Sequence, residues 1–409
     1  MLDSIYTAYT GLLSFSKALT VLSNNVSNMN TPGFKSSDVT FRDLFYQFSS
    51  SGGQSTAQES QVGEGTDTNG TRINFAQGNP ADTGNPLDAA ISGNGFFVLK
   101  DANNNFYYTR AGQFDVNASG DLIDKTTSFR VQAVSGKSEL SDINIAKLET
   151  SAAKATTDVK FVGNLSRGAT TDTISSITVY DSVGGSHTLS LTLTNNNSAT
   201  TGSWLIQVQD ENSKPIGNGE VRFNADGSPE TGYNTVSISL APTGVPASQI
   251  TLDFGAPNGF SGATNFSGGT TSDLKFNTQD GHAAGSLTGT TFDAQGFLTL
   301  SYSNGQTAKG PQLALGWFND LQGLHQSGNE MFTNPAGLTP LVGSADGKVM
   351  GTLTSNQLEG SNVDLTQQFT DLVIIQRGYQ SSSQVISVAN QMIQQLDDMR
   401  TGGGGGGGG

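Results

Sequence analysis

The chain has 409 residues, of which 52 are glycine and only 13% are charged. Its 20 basic and 35 acidic residues give a formal net charge of -15 without a basic stripe, which argues against nucleic-acid binding. The absence of cysteine excludes a disulfide framework and any thiolate site. Length and composition together predict a multidomain chain that is rich in turns and strands.

The N-terminal segment has the spacing of a coiled-coil helix, because apolar residues recur at alternating steps of three and four. This seam consists of Ile5, Ala8, Leu12, Phe15, Leu19, Leu22, Val26 and Met29. The Asn30-Thr31-Pro32-Gly33 run supplies a stop and a turn, so a helix of about 25 residues is predicted before it. The segment lacks the features of a secretory signal peptide, so we expect export without cleavage, and we expect no membrane insertion.

The middle of the chain is predicted to be β structure on either side of an insertion. Residues 32–70 contain too many aromatic residues for a flexible linker, and we expect an extended connector that docks on a neighbouring surface. Hairpin signals in 71–145 return in 285–360, and these two segments are predicted to form one inner β domain. Alternating segments in 146–284 predict an outer β domain inserted into the first.

The C-terminal segment repeats the heptad spacing. Its seam consists of Leu365, Leu372, Ile375, Tyr379, Ile386, Ala389, Ile393 and Leu396. Either Asn362 or Asp364 is expected to cap the helix. The predicted fold is α+β and multidomain: terminal helices (1–31 and 361–400) form a coiled-coil pair, with two nested, mainly antiparallel β domains between them.

The terminal helices carry few charges, and apolar residues lie off both seams, which favours packing against further copies over an isolated pair. We therefore expect frayed helices in the free monomer, since ordering each residue costs about 1–2 kcal/mol. The glycine-rich tail, 401–409, is predicted to form no element, and we treat it as an added linker.

The sequence contains no convincing catalytic, cofactor or metal motif. Asp115 to Gly120 imitates the start of an EF-hand loop, but Thr126 stands where the bidentate Glu belongs, so a hairpin turn is favoured. The three histidines, His187, His282 and His325, are scattered. No cofactor is expected, although a carboxylate pair among the 35 acidic residues stays open.

Three segments resemble the bacterial flagellar rod and hook family. They are Ser23 to Lys35, which contains the Asn-Thr-Pro-Gly-Phe run; Ile91 to Phe97 with Tyr108 to Phe114; and Leu358 to Leu365 with Gln376 to Tyr379. The residues that carry the terminal motifs are Asn24, Asn25, Asn28, Thr31, Gly33, Phe34, Ser361, Asn362 and Val363.

This resemblance implies a non-enzymatic, self-polymerising subunit of an extracellular flagellar tube. Within the family, the length and the large insertion favour the hook branch, a curved joint that transmits motor torque from rod to filament. The implied partners are further copies of the chain, the distal rod protein, the hook-filament junction proteins, the hook cap and the flagellar type III export apparatus. The alternatives are a rod or hook-associated axial subunit, or a secreted β-rich glycan-active protein.

Overall fold

The computed structural model describes residues 2–49, 60–136, 139–335 and 338–402. Two long helices stand at its ends and antiparallel strands fill most of the remainder, so the predicted α+β class is confirmed. The chain divides into two compact units. Unit 1 comprises Met1–Ala146, Thr290–Thr299 and Lys309–Gly409, and unit 2 comprises Lys147–Gly289 and Leu300–Ala308. Unit 2 is thus larger than the predicted insertion 146–284.

The terminal helices are α1, Leu2–Ser27, and α2, Leu365–Gly402. The predicted seam residue Met29 lies beyond the end of α1, because the chain already turns at Asn28 ahead of Pro32. Asp364 caps α2 by accepting hydrogen bonds from the backbone N–H groups of Thr366 at 2.8 Å and Gln367 at 3.3 Å. The helix runs through Thr401 and Gly402, which were predicted to belong to the tail, and 403–409 lie outside the described residues.

A hairpin arm follows α1. Its strands are β1, Ser37–Asp43; β2, Tyr46–Ser49; β3, Ser60–Gly63; and β4, Thr66–Ile73. β1 pairs antiparallel with β4 and β2 with β3. The described part of the predicted connector 32–70 therefore pairs with itself, because an extended single strand would leave its backbone hydrogen bonds unmade. The predicted connector residues 50–59 lie outside the described part of the chain.

The next strands, in chain order, are β5 (Pro80–Asp82), β6 (Ala89–Ser92), β7 (Phe96–Lys100), β8 (Phe106–Thr109), β9 (Phe114–Val116), β10 (Leu122–Asp124), β11 (Arg130–Ser135) and β12 (Glu139–Asp142). A short 3-10 helix, Ala146–Leu148, leads on to β13 (Thr150–Ser151), β14 (Asp158–Asn164), β15 (Thr171–Tyr180), β16 (Ser186–Asn195), β17 (Ser203–Gln209), β18 (Pro215–Arg222), β19 (Thr235–Leu240), β20 (Ser248–Asp253), β21 (Ala263–Thr264) and β22 (Lys275–Gln279). The last strands are β23 (Gly285–Phe292), β24 (Phe297–Tyr302), β25 (Thr307–Leu313), β26 (Leu315–Trp317), β27 (His325–Gln326), β28 (Met331–Thr333), β29 (Leu341–Gly343), β30 (Thr352–Ser355) and β31 (Gln357–Glu359).

The β core of unit 1 is built around β7, whose first four residues are all buried. Such a continuous apolar run suits a strand that is covered on both faces. β7 pairs antiparallel with β8, β11 and β26. The core cluster joins these strands to later parts of the chain and contains Phe96, Val98, Tyr108, Ala314, Phe318, Leu324 and Phe332.

Two sheets of unit 2 share one core. The first is the antiparallel meander β15-β16-β17-β18, in which Leu189, Leu191 and Leu193 alternate into the core with the period of a strand. In the second sheet β14 pairs antiparallel with β22 but parallel with β20 and β21. Buried side chains from both sheets, Trp204 among them, form a single cluster.

The segment that imitates an EF-hand loop is the β9–β10 turn. Asn117 Oδ1 accepts hydrogen bonds from the backbone N–H groups of Ser119 and Asp121, both at 2.9 Å. The side chain thus closes an Asx turn. The hairpin interpretation of this segment is confirmed.

Candidate assembly site

The two terminal helices pack against each other in opposite directions. Their register is set by three contacts: Gly11 with Ser382, Phe15 with Gly378, and Asn25 with Gln368. Each contact moves back along α2 by as many residues as it moves forward along α1. Small residues at Gly11 and Gly378 allow close approach, since a Cβ on Gly378 would lie 2.6 Å from the Phe15 ring.

The buried face of α1 coincides with only half of the predicted seam. Ala8 and Leu22 are buried and Phe15 touches α2, whereas Ile5, Leu12, Leu19 and Val26 are only half-buried. The second buried line consists instead of Gly11, Ala18 and Asn25. Ala18 lies off the predicted seam, yet it is 1% exposed. Small side chains take this line because Gly11 lies against Ser382 of α2, and Ala18 lies beside Val39 of the hairpin arm.

The hairpin arm is held on α1 by polar contacts. Lys17 Nζ donates to Thr68 Oγ1 at 3.1 Å and lies 3.9 Å from Asp67 Oδ1. A Cβ on Gly65 would lie 2.2 Å from Thr10 Oγ1, so only glycine fits this approach. Lys17 and Thr10 of α1 therefore lie against the arm.

The predicted seam of α2 faces α1 only in its first part. Ala389 is buried, and half-buried positions are Leu365, Leu372, Ile375 and Ile386. Tyr379, Ile393 and Leu396 are exposed at 36%, 40% and 48%. The helix register places Leu2 at the level of Gln391, so Met392 to Gly402 continue beyond the start of α1. We call Met392–Gly402 the overhang.

Asn25 joins α1, α2 and the hairpin arm through one fully buried carboxamide. Its Oδ1 accepts from the backbone N–H of Ser37 at 3.0 Å, and its Nδ2 donates to Ser37 O and to Gln368 Oε1, both at 2.9 Å. Both ends of the amide are satisfied, as burial requires. This geometry accounts for the Asn at this motif position.

The other N-terminal motif residues build the turn after α1. Asn28 Nδ2 donates to Asn24 Oδ1 at 3.0 Å, and Thr31 Oγ1 donates to Asn28 Oδ1 at 3.1 Å. Phe34 is half-buried beside this turn and its N–H donates to Thr31 O. Gly33 has φ +74°, and a Cβ there would lie 2.6 Å from the Ala111 backbone nitrogen, so no other residue fits.

The C-terminal motif residues lock the start of α2 onto this turn. Asn362 Oδ1 accepts from the Ser36 N–H at 2.8 Å, while Nδ2 donates to Asn74 O at 2.7 Å and Ala76 O at 2.9 Å. Ser361 Oγ accepts from the Val363 N–H at 3.4 Å, and both residues are half-buried. The two ends of the chain therefore meet at the motifs that sequence analysis singled out.

A buried carboxylate lies at the centre of this junction. Glu359 Oε1 accepts from Lys35 Nζ at 2.5 Å and from the Gly78 N–H at 2.9 Å, and Oε2 accepts from Arg110 Nη1 at 3.1 Å. The side chains of Lys35, Glu359 and Arg110 are 0%, 0% and 4% exposed. We call these three residues the charge cluster.

The charge cluster holds two cations against one anion. Burial lowers the pKa of Lys35 and of Arg110 below their ordinary values, although the Glu359 carboxylate acts in the opposite direction. Arg110 also donates to Gly93 O at 2.8 Å and stands over the Phe96 ring at 5.3 Å. Removing one member of such a buried group leaves the others uncompensated.

The charge cluster and Gln368 were not among the residues predicted for the site. Lys35 and Glu359 lie within the resembling segments, so a search for opposite charges at the two ends of the chain could have paired them. Arg110 also lies within a resembling segment, Tyr108 to Phe114, but nothing local indicates its partner or that of Gln368, because these partners are 249 and 343 residues away.

The helices leave apolar surface open to solvent. On α1 this surface consists of Tyr6, Tyr9 and Leu13, and on α2 of Phe369, Val373, Ile374, Tyr379, Val385, Val388, Met392, Ile393, Leu396 and Met399. Exposed apolar area of this extent marks a protein interaction surface.

Among the described residues, no group of His, Cys, Asp or Glu side chains could hold a metal ion. No helix in the described part of the chain combines the length and the hydrophobicity of a membrane span.

Four family models match the chain. The model of the flagella basal body rod protein matches residues 5–35, and that of the flagellar basal body rod FlgEFG protein C-terminal region matches 354–399. Between them, the flagellar hook protein FlgE/F/G D1 domain matches 90–164 and the flagellar basal body protein FlaE D2 domain matches 147–282. Together these models cover most of the chain, including both helices.

Curated relatives match along nearly the whole chain. The flagellar hook protein FlgE of Escherichia coli is 29% identical over 96% of this chain and 99% of its own length. The FlgE of Borreliella burgdorferi is 28% identical over 97% of this chain and 99% of its own length. The FlgE of Treponema pallidum is 28% identical over 96% of this chain and 98% of its own length. Among solved structures, the flagellar hook protein FlgE2 of Helicobacter pylori aligns with a TM-score of 0.50 at 13% identity, covering 68% of this chain and 100% of that chain. This last likeness concerns the fold alone.

Proposed function

We infer, from the membership of this chain in the bacterial flagellar rod and hook family, that it is a structural subunit of the flagellar hook. It belongs to this family from the first helix to the last. The observation that carries the inference is its full-length similarity to hook proteins, of whose length 98–99% is covered in the three relatives compared.

The structure supports assembly through the terminal helices. The two helices pack on each other through one face each, and apolar residues on their remaining faces are exposed. Further copies can cover these residues. We propose that α1 and α2 form a coiled-coil pair in the polymer and that these faces are its main contacts. The β domains would then form the outer layers of the polymer.

The finer role follows from the same family. We propose that the polymer is a curved, extracellular joint that transmits motor torque, and that the subunit is not an enzyme. The distal rod protein, the junction proteins, the cap and the export apparatus would be its partners. A rod or hook-associated subunit is the second candidate, but the length agrees with the hook relatives. A glycan-active enzyme would leave the terminal helices unexplained.

Electron microscopy of the purified full-length chain under associating conditions tests the proposal. We expect tubes from the unaltered chain and none from Ile374→Asp/Val388→Asp, because both side chains are exposed on α2 at 61% and 52%. Val183→Asp is the matched control, since this valine is 68% exposed in unit 2. Monomers from the unaltered chain, or tubes from all three proteins, would contradict assembly through the helices.

A hook-deficient cell separates the two axial candidates. Expression of the chain should restore a hook of ordinary length and curvature with a filament attached. A straight rod extension without a filament would instead assign it to the rod.

A further inference from the structure

The chain contains five Asn-Gly dipeptides, which begin at Asn69, Asn94, Asn218, Asn258 and Asn304. Asparagine in this context is prone to lose its side-chain amide, because the following glycine has no side chain to hinder attack by its backbone nitrogen. In an unfolded chain all five dipeptides meet this requirement. The structure decides which glycine nitrogen can reach the side-chain carbon of the preceding asparagine.

The first of these dipeptides lies at an irregularity in the hairpin arm. The β1–β4 register is interrupted between Val39 and Phe41, so Asn69 and Gly70 of β4 together oppose Thr40. Such a bulge disrupts the hydrogen-bond ladder locally and leaves a residue out of the pairing. The backbone is therefore less restrained here than in a regular strand.

Both Asn69 and Gly70 are exposed. Gly70 has φ +89°, and apart from its chain neighbours no described residue has an atom within 4 Å of the position that a Cβ would take. Within the part of the chain that the structure describes, no hydrogen bond holds the Asn69 carboxamide. This side chain can turn toward the Gly70 nitrogen without losing a partner.

Two of the other asparagines are held by their side chains. Asn304 Nδ2 donates to Ala283 O at 2.9 Å, and its Oδ1 accepts from the Gln306 N–H at 3.0 Å. Asn258 Oδ1 accepts from Asn224 Nδ2 at 3.1 Å. Attack on either carboxamide would first require these hydrogen bonds to break.

The remaining two dipeptides are held by their backbones. Gly219 pairs with Ile206 in the regular part of the β17–β18 ladder. Asn94 O accepts from the Gly351 N–H at 2.7 Å, and the following Gly95 is buried. Neither peptide can rotate freely while its neighbours stay in place.

We propose that Asn69 is a site of spontaneous modification, at which deamidation proceeds through a succinimide formed with Gly70. The Gly70 nitrogen loses its proton and attacks Asn69 Cγ, the new C–N bond closes the ring, and the carboxamide nitrogen leaves as ammonia. Water then opens the ring at one of its two carbonyl groups and gives aspartate or isoaspartate. Water is the only co-reactant.

The modification alters the strand that holds the arm on α1. Thr68, the neighbour of Asn69, accepts the hydrogen bond from Lys17 Nζ at 3.1 Å. Either product adds one negative charge beside this contact, and isoaspartate also lengthens the backbone of β4 by one methylene group. The isoaspartyl product therefore disturbs the β1–β4 register and loosens the arm.

Peptide mapping by mass spectrometry, after incubation of the full-length protein at mildly alkaline pH, tests the assignment. Asn69 is the sole asparagine between the tryptic sites Arg42 and Arg72, so the deamidated peptide is unambiguous. We expect deamidation at Asn69 to be several times faster than at Asn304. In urea the five sites should react at similar rates, because the structure that separates them is lost.

The outcomes decide both the site and the route. Another Asn-Gly dipeptide that reacts first in the folded protein, or equal rates at Asn69 and Asn304, would overturn the assignment. Isoaspartate at position 69 is expected, because it forms only when the ring opens at the second carbonyl group. Aspartate without isoaspartate would exclude the succinimide.

Hydrogen exchange tests the effect on the arm. Amides of Thr66 to Ile73 should exchange several-fold faster in incubated protein than in fresh protein. Asn69→Gln is the matched control, since glutamine keeps the carboxamide but must close a larger ring, and its exchange should not change on incubation. Equal exchange in fresh and incubated unaltered protein, once deamidation is complete, would show that the modification leaves the arm in place.

Discussion

At the scale of single residues, Glu359 connects the two ends of the chain. Its carboxylate is the shared acceptor for Lys35 and Arg110, and its backbone oxygen accepts from the Gly33 N–H at 2.7 Å. Every one of these groups is withdrawn from water, so the loss of one leaves hydrogen-bonding groups of the others unpaired.

Glu359→Gln should destabilise unit 1 by about 3–5 kcal/mol, because it leaves two buried cations without an anion. The two tryptophans allow a local measurement, since Trp317 packs on the unit 1 core and Trp204 lies in unit 2. Urea unfolding followed by Trp317 fluorescence in a Trp204→Phe background gives the free energy of unfolding. Glu139→Gln, an exposed position in unit 1, should change it by less than about 0.5 kcal/mol. If both variants changed the free energy of unfolding equally, the buried carboxylate of Glu359 would contribute no more to stability than an exposed one.

A second carboxylate makes the stability of unit 2 depend on pH. Burial of Asp280 disfavours its charge, but hydrogen bonds from Thr157, Asp158 and Lys154 outweigh this and hold its pKa well below the ordinary 3.8. The depressed pKa stabilises unit 2 above pH 3.8, and this contribution is lost as the pH falls through the folded-state pKa.

Asp280→Asn should therefore unfold more easily than the unaltered chain at pH 7, and the difference should shrink as the pH falls below 3.8. Trp204 fluorescence during urea unfolding at a series of pH values measures it. Glu211→Gln serves as the control, because the Glu211 side chain is 52% exposed. A difference that stays constant down to pH 2 would contradict the account.

At the scale of elements, the helix pair depends on small residues at its crossing points. A Cβ on Gly378 would come within 3.0 Å of three atoms of the Phe15 ring. Helix propensity and packing thus oppose each other here, since alanine is favoured over glycine in a helix by about 1 kcal/mol.

Gly378→Ala should weaken the packing of α1 on α2 despite its gain in helix propensity. We expect a lower thermal midpoint of the helical circular dichroism signal than in Ser383→Ala, an exposed position on the same helix. Phe15→Ala in the Gly378→Ala background should recover part of the loss by removing the ring. A higher midpoint for Gly378→Ala would show that propensity outweighs the contact.

The overhang should be the least protected part of α2 in the free monomer, because its residues gain apolar partners only on assembly. Hydrogen exchange should be fast for Met392 to Arg400 in monomers and slow in tubes. Slow exchange of these amides in dilute monomers would contradict the predicted fraying.

At the scale of the whole molecule, assembly brings together copies that each carry a net charge of -15. The contacts proposed for the helices are mainly apolar, so they are little affected by salt, whereas the repulsion between copies is screened. The apolar contacts of the weakly charged helices therefore favour association, whereas the repulsion between the acidic copies opposes it.

Assembly should accelerate several-fold between about 10 mM and about 150 mM salt, as the Debye length falls from about 30 Å to about 8 Å. Light scattering during polymerisation measures the rate. If salt slows assembly instead, ion pairs between copies must dominate the interface.

The sequence by itself determined the class of the fold and both helices, because heptad spacing, caps and proline are local signals. It also identified Asn25, Gly33 and Asn362 through resemblance, without saying what they touch. Only the tertiary structure decided which line of α1 is buried: heptad spacing allows either line, and the hairpin arm and the small residues Gly11 and Ala18 select one. Only tertiary structure could bring Lys35, Arg110 and Glu359 together, since burial and pairing across such separations leave no periodic trace along the chain.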